Sequence, residues 1–379
     1  LGIDVGDLDR VIQIDAPKTV SSFLQRMGRA GRRPGTARNC LFLATGTPGF
    51  LQALGITRLW SQSWVEPVRP APLPWNVVAQ QTLLMTLEWG LITKQDLLNA
   101  LAACFPELDA NGLSTCIQTL IERRYLAEPD AGVLQIGPEA ERVFGRSHYR
   151  DLLATFSGSD LLLGRHGTQE IGYIDPTSLV GEDGVNRILL AGRSWRVTAI
   201  DWKRRLAALE PSEQRGQARW MGSSGNLDWD IAQSIRMAIR EGMPDLVKLS
   251  RRAMQALEEL QDEIPTASNP CPQESVASGR HRVWTFSGTR TNRQYLANFR
   301  SRGARQCNAL YLDFVAIPPE NMGPSALPPP APSSPDVVSL LESLKFCDLL
   351  DEAQAADEVI ARFFENPPID APASVSSHA

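Results

Sequence analysis

The sequence predicts a multidomain chain, of α/β class at its start and α+β class thereafter. Three observations carry this. Two apolar runs of strand length, Val11-Ile12-Gln13-Ile14 and Asn39-Cys40-Leu41-Phe42-Leu43-Ala44, flank a helix-length segment, the pattern of buried parallel strands. Proline-rich stretches at 64–74 and 318–335 punctuate the chain. Between them, a helical periodicity gives way to short strands at even intervals. At 379 residues there is room for roughly two to four domains. A hydrophobic content of 43% with 21% charged residues excludes disorder for most of the chain.

The first stretch carries the chemistry. Gly2-Ile3-Asp4-Val5-Gly6 sets two glycines around an aspartate, and Gln25-Arg26-Met27-Gly28-Arg29-Ala30-Gly31-Arg32 follows downstream. Arg26, Arg29 and Arg32, three residues apart, share one side of a helical turn, while Gly28, Ala30 and Gly31 let a neighbouring backbone approach. A guanidinium makes parallel charge-assisted bonds to phosphate oxygens. Presented by one domain to a nucleotide held on another, it stabilises the charge of phosphoryl transfer. The alternative is a solvated basic helix face.

Next, a helix from about Phe50 to Trp60 leads into the extended connector at 64–74. From Trp75 the pattern is helical. Val77, Val78, Gln81, Leu84 and Met85 line one helix, Thr93 is placed to cap a second, and a third runs from Ser114 to Arg124. A short hairpin around Pro129-Asp130-Ala131-Gly132 follows, giving a winged helix, either a nucleic-acid reader or a rigid spacer between proteins.

Strand patterns then recur at 160–163, 169–174, 186–191, 193–201 and 204–209, with turn signals at Gly164-Arg165-His166-Gly167, Gly181-Glu182-Asp183-Gly184 and Gly192. Such spacing predicts a small closed barrel or a sandwich. Helices at 227–240, 244–263 and 289–299 with strands at 281–288 and 309–317 form an α/β annex to it. After the proline-rich linker an acidic helical pair spans 336–366, with Leu340, Leu341, Leu344, Phe346, Leu349 and Leu350 on one side. This tail is expected to be dispensable to the rest, docking either back onto the annex or onto a protein partner. Residues 367–379 are expected to be disordered.

The net charge of −5 argues against binding nucleic acid by bulk charge, so binding would rest on local arginine patches at 26–38, 202–219 and 280–305. At and beside the second of them, Arg193, Trp195, Arg196, Arg219 and Trp220 combine charge with stacking surfaces and are the candidate strand contacts. For Trp195, in an alternating strand, a core position is the equal alternative. Six scattered cysteines without a Cys-x-x-Cys pair, and four histidines, argue against a zinc site or a disulfide framework. No apolar run reaches membrane-spanning length.

The two segments at the start resemble motifs V and VI of superfamily 2 helicases. That resemblance implies that residues 1–50 are the end of a second RecA-like domain. It makes Arg29 and Arg32 the arginine fingers, and places Gly2, Asp4, Gly6, Gln25 and Arg26 at the nucleotide cleft. The chain contains no Gly-x-x-x-x-Gly-Lys-Ser/Thr loop and no Asp-Glu metal motif, so ATP and Mg2+ would be bound mainly by a preceding domain, and the chain reads as a C-terminal fragment.

More narrowly, the chain resembles the large helicase-related (Lhr) family. The marks are Trp75 to Gln81 opening the winged helix, Gly172 to Asp175, Leu190-Ala191-Gly192-Arg193-Ser194-Trp195-Arg196-Val197, Arg219-Trp220-Met221-Gly222, and Trp284-Thr285-Phe286-Ser287-Gly288 with Asn292. On this resemblance a linker spans 51–74, a winged helix 75–155, the barrel 156–222 and its annex 223–317. The implied function is ATP-driven translocation on single-stranded or tailed duplex nucleic acid, DNA or an RNA–DNA hybrid, in a bacterial cytoplasm. The competing readings are a non-catalytic nucleic-acid-binding module or helicase remnant and, ranked last, a base-excision enzyme.

Overall fold

A computed structural model describes residues 8–31, 39–68, 71–154, 162–174, 187–201, 206–212, 227–264, 271–276, 279–319, 327–341 and 344–365. The stretch 367–379, expected to be disordered, lies outside them. At the start, β1 (Val11–Ile14) and β2 (Cys40–Leu43) pair in parallel around α1 (Val20–Met27), and α2 (Thr47–Ser61) follows. The parallel pairing agrees with the sequence reading. The burial differs: Val11, Gln13, Cys40 and Phe42 are partly covered, whereas Ile12, Ile14, Leu41 and Leu43 on the other face are exposed.

Helix α2 begins before the expected position, with Pro48 in its first turn, and fills the first half of the expected 51–74 linker. The reason is burial. Leu51, Leu54, Ile56 and Leu59 are core residues, so this stretch is packed helix and the extended connector starts only after it.

Then come α3 (Trp75–Trp89), β3 (Ile92–Thr93), α4 (Lys94–Cys104), α5 (Ala110–Glu122), β4 (Leu126–Asp130), β5 (Val133–Ile136) and α6 (Pro138–Phe144). Thr93 does cap α4, accepting from the Asp96 N–H at 3.1 Å. The inward face of α3 is Trp75, Val78, Ala79, Thr82, Leu83 and Thr86, sharing only Val78 with the expected set. The threonine hydroxyls donate back to the carbonyls of Val78 and Thr82, each at 2.8 Å, so two polar-looking positions are core. Helix α5 starts before Ser114 because Asp109 accepts from the Gly112 N–H at 2.7 Å. The expected hairpin gains a third strand, with order β3-β5-β4.

Strands β6 (Leu162–His166), β7 (Gln169–Ile174), β8 (Arg187–Leu190), β9 (Arg193–Asp201) and β10 (Leu206–Pro211) form one sheet of order β7-β6-β10-β9-β8. The expected closed barrel is not formed among the described residues: β7 and β8 stay unpaired with each other. The expected turn at Gly164 is also corrected. Gly164 lies within β6, where an added methyl would sit 2.7 Å from Leu209 Cδ1, so this glycine serves close packing. Gly192, with φ 75°, does form the tight turn between β8 and β9.

The annex contains α7 (Trp229–Glu241), α8 (Arg251–Glu263), β11 (Gln273–Val276), β12 (Arg280–Trp284), α9 (Gly288–Phe299), β13 (Ala304–Cys307) and β14 (Tyr311–Phe314). Its antiparallel sheet has the order β11-β12-β14-β13 and includes two short strands the sequence did not signal. Helix α8 starts at Arg251 and not at Pro244, because Ser250 caps it by accepting from the Ala253 N–H at 3.2 Å.

The tail, α10 (Pro335–Leu341) and α11 (Glu352–Phe363), corrects the sequence reading most. Val337, Leu344, Phe346, Leu349, Leu350, Ala356 and Val359 share one core with Val78, Leu83, Leu101 and Leu120 of the three-helix unit. The tail therefore packs mainly on that unit and not on the annex, to which it is tied by the Arg300–Asp336 ion pair and by Arg290 Nη2 donating to the Ala361 carbonyl at 2.8 Å. So much shared core is incompatible with a dispensable tail.

Glu358 fixes the docking. It is 1% exposed, its Oε2 accepts from the Asn76 N–H in the first turn of α3 at 2.7 Å, and Arg362 lies at 2.9 Å. Burial pushes its carboxyl up to about 7 from the usual 4.5, against the pull of the Asn76 N–H and Arg362. The folded state holds this proton more tightly than the unfolded chain does. The contribution therefore favours folding most below pH 4.5 and is lost as pH rises through about 7. Glu358→Gln should remove that loss and raise the melting temperature at pH 8 relative to the parent, by a free energy on the order of 3 kcal/mol. Melting curves from pH 5 to 8 check this; parallel curves for the two proteins would contradict it.

Candidate nucleotide and nucleic-acid surfaces

Helix α1 presents the arginine segment. Thr19 caps its start, accepting from the Ser22 N–H at 3.0 Å, and Glu66 reaches in from the connector. Its two carboxylate oxygens accept from the N–H groups of Val20 at 2.6 Å and Ser21 at 3.0 Å. Two free donors and the positive end of the helix are thereby satisfied at once. Val20, Phe23 and Met27 are buried on the inner face, where Phe23 meets Trp60 of α2 edge-on at 5.8 Å and Phe42 at 5.2 Å.

On the outer face Gln25, Arg26 and Arg29 are exposed. Arg26 is held to the sheet, its Nη1 donating to Gln13 Oε1 at 2.8 Å. Arg29 stands in the turn after α1. Its carbonyl accepts from the Leu8 N–H at 3.4 Å, and the Gly31 N–H donates to the Leu8 carbonyl at 3.2 Å, so the backbone is clamped on both sides while the side chain is open. Gly31 adopts φ 67°, and Ala30, fully buried, leaves no room for a larger residue. The arrangement holds the backbone of an open guanidinium that can reach an anion approaching from solvent. Gly2, Asp4, Gly6 and Arg32 lie outside the described residues.

Sequence reasoning missed the supports of this surface. Besides Glu66 and Gln13, Asp15 ends β1 with φ 50°, its carboxylate accepting from the N–H of Thr45 at 2.8 Å and its hydroxyl at 2.7 Å. A methyl at Gly49 would lie 2.3 Å from Asp15 Oδ1, so the glycine makes room for this lock. Asp15, Gln13 and Glu66 carry no local pattern, because each acts on a partner far along the chain.

The second candidate surface divides. Arg193 and Arg196 are exposed on β9, and Arg196 Nη2 pairs with Glu210 Oε2 at 2.6 Å. Trp195 between them is 5% exposed, its Nε1 donating to the Leu190 carbonyl at 3.0 Å and its ring 5.6 Å from that of His166. It occupies the core alternative, and a stacking role for it is not compatible with this burial. Arg219 and Trp220 lie outside the described residues. Among the described residues no group of three or more His, Cys, Asp or Glu is placed to hold a metal, and no helix is long and apolar enough to cross a membrane.

Residues 1–34 match the helicase conserved C-terminal domain family. The chain is 27% identical over 276 residues to the Lhr helicase/probable uracil glycosylase of Mycolicibacterium smegmatis, covering 67% of this chain and 17% of that protein. Against the Lhr helicase/uracil glycosylase of Escherichia coli K12 it is 26% identical over 257 residues, 62% of this chain and 16% of the relative. The structure of Mycobacterium smegmatis helicase Lhr bound to ssDNA and AMP-PNP matches with a TM-score of 0.53 at 18% identity, over 83% of this chain and 40% of that one. The chain is thus similar to a region of Lhr helicases, spanning about a sixth of the length of the curated relatives it matches.

Because Trp195 is core, Trp195→Ala should cost about 3–5 kcal/mol of stability. Thermal melting checks this; an unchanged melting temperature with weakened strand binding would instead make it a surface platform.

Proposed function

We propose that this chain forms the C-terminal part of an ATP-dependent helicase or translocase. It would supply arginine fingers and strand-holding accessory units for DNA or an RNA–DNA hybrid. The observation that carries this is Arg29, an exposed guanidinium on a backbone clamped by Leu8 and Gly31 beside a doubly capped helix. A remnant without a motor has no use for such an exposed cation on a clamped backbone.

In this reading Arg29 and Arg32 contact the phosphates of ATP bound to a preceding motor domain, which also holds Mg2+. Charge developing on the transferred phosphoryl group then draws the two domains together, and hydrolysis releases them. Arg26, tied to Gln13, positions the helix. Residues 75–155 act as a winged helix, supported by three helices and a three-stranded sheet in the order such a module requires. Arg193 and Arg196, with Arg219 and Trp220, contribute to the strand path. The family resemblance also suggests a bacterial cytoplasmic setting.

The test is nucleic-acid-stimulated ATP hydrolysis by a protein that joins this chain to its motor domain. Arg29→Ala should lower turnover about 10³-fold or more with folding preserved, and the chain alone should not hydrolyse ATP. Unchanged turnover in Arg29→Ala would reduce α1 to a structural element.

A further inference from the structure

The five-stranded sheet has two unpaired edges, and they face each other. Strand β7 is antiparallel to β6, β6 parallel to β10, β10 antiparallel to β9, and β9 antiparallel to β8, so β7 and β8 meet antiparallel along an open seam. They come close where a methyl on Gly172 would lie 3.3 Å from Leu190 Cδ1. From there Tyr173 is the next residue along β7, and Arg187 lies three residues along β8, about 10 Å on.

Alternation fixes which way these side chains face. Ile174 and Ile188 are inward, at 3% and 5% exposure, so Tyr173 and Arg187 both lie on the outer face. Tyr173 is 67% exposed, a large aromatic ring on an edge strand. Arg187 is exposed and stands directly opposite Arg196, an arrangement of like charges that destabilises a bare sheet. Glu210, the cross-strand neighbour of Arg196 on the other side, neutralises Arg196 alone. Arg187 has no ion-pair partner among the described residues.

We propose that this outer face along the β7–β8 seam is a contact for single-stranded nucleic acid, with Tyr173 stacking on a base and Arg187, beside Arg196, taking the adjacent phosphate. The inference rests on the reading of the chain as a nucleic-acid motor region and adds to it a place where the strand lies. A flat ring beside an uncompensated guanidinium matches a base followed by its phosphodiester, and stacking on tyrosine is tolerant of base identity, as a translocating protein requires. Trp195, the aromatic residue that the sequence pattern pointed to on this sheet, is buried and unable to do this.

The test measures binding of a labelled oligothymidylate to the 379-residue chain by fluorescence anisotropy over a salt series. Tyr173→Ala should weaken binding roughly ten- to a hundredfold while Tyr173→Phe retains it. Arg187→Ala should reduce the slope of log affinity against log salt by about 0.7, the share of one single-strand phosphate. Melting temperatures should be unchanged, since both side chains are exposed. If the parent binds and Tyr173→Ala binds equally well, the strand lies elsewhere and this proposal fails while the motor reading stands. If the parent binds no oligonucleotide, both fail. Capture of an acidic peptide in place of the oligonucleotide, dependent on Tyr173 and Arg187, would make the seam a protein surface and overturn the proposal.

Discussion

The structure depends on how closely α2 can approach α7. At Gly55 an added methyl would lie 2.6 Å from Ile235 Cγ1 and 3.0 Å from the Ile231 carbonyl oxygen, so no other residue fits without displacing α7. The contact is polar as well as tight: Ser234 Oγ donates to the Gly55 carbonyl at 3.0 Å, and Arg58 donates to the Gly242 carbonyl and to Glu241, each at 2.9 Å. Core density of this kind does not deform gradually, so displacement of one helix is passed to the other. One side of α2 carries α1 through Phe23 and Trp60, and the other carries the annex.

A continuous path of packed elements follows. The helix presenting Arg29 rests on α2, α2 on α7, and Phe286, behind α7, shares its core with Trp284 and Leu310 of the annex. From the annex, Arg290 and Arg300 hold the two ends of the tail, whose apolar side chains complete the three-helix unit. In the proposed motor, a movement of α1 on nucleotide binding would therefore carry the accessory units as one body. Glu66 adds a second tie, fixing the start of the connector to the start of α1.

Those features whose physics is local were legible in the sequence. Thr93 caps its own helix and Gly192 makes its own turn, whereas of the arginines expected on one helical turn Arg26 lies in α1, Arg29 in the turn after it and Arg32 outside the described residues. Those whose physics is long-range were not. Glu66 caps a helix more than forty residues away, Glu358 sits on α3 from the other end of the chain, and Gly164 is needed by Leu209 four strands later. The barrel expectation counted strands correctly but could not show that β7 and β8 remain unpaired. The tail's leucine stripe announced a partner without naming it, because any apolar face fits many. Thr82 and Thr86 show the reverse error, polar residues that bond to their own helix and enter the core.

The packing of α2 against α7 couples the arginine-bearing helix to the annex, and Gly55→Val tests it. Thermal unfolding of the 379-residue chain, followed by hydrogen exchange of α1 and α7, should show a large loss of stability. Both helices should lose protection together, because the valine forces them apart. A variant that melts like the parent, with α1 and α7 still protected, would show that the arginine-bearing helix and the annex are not coupled through this contact.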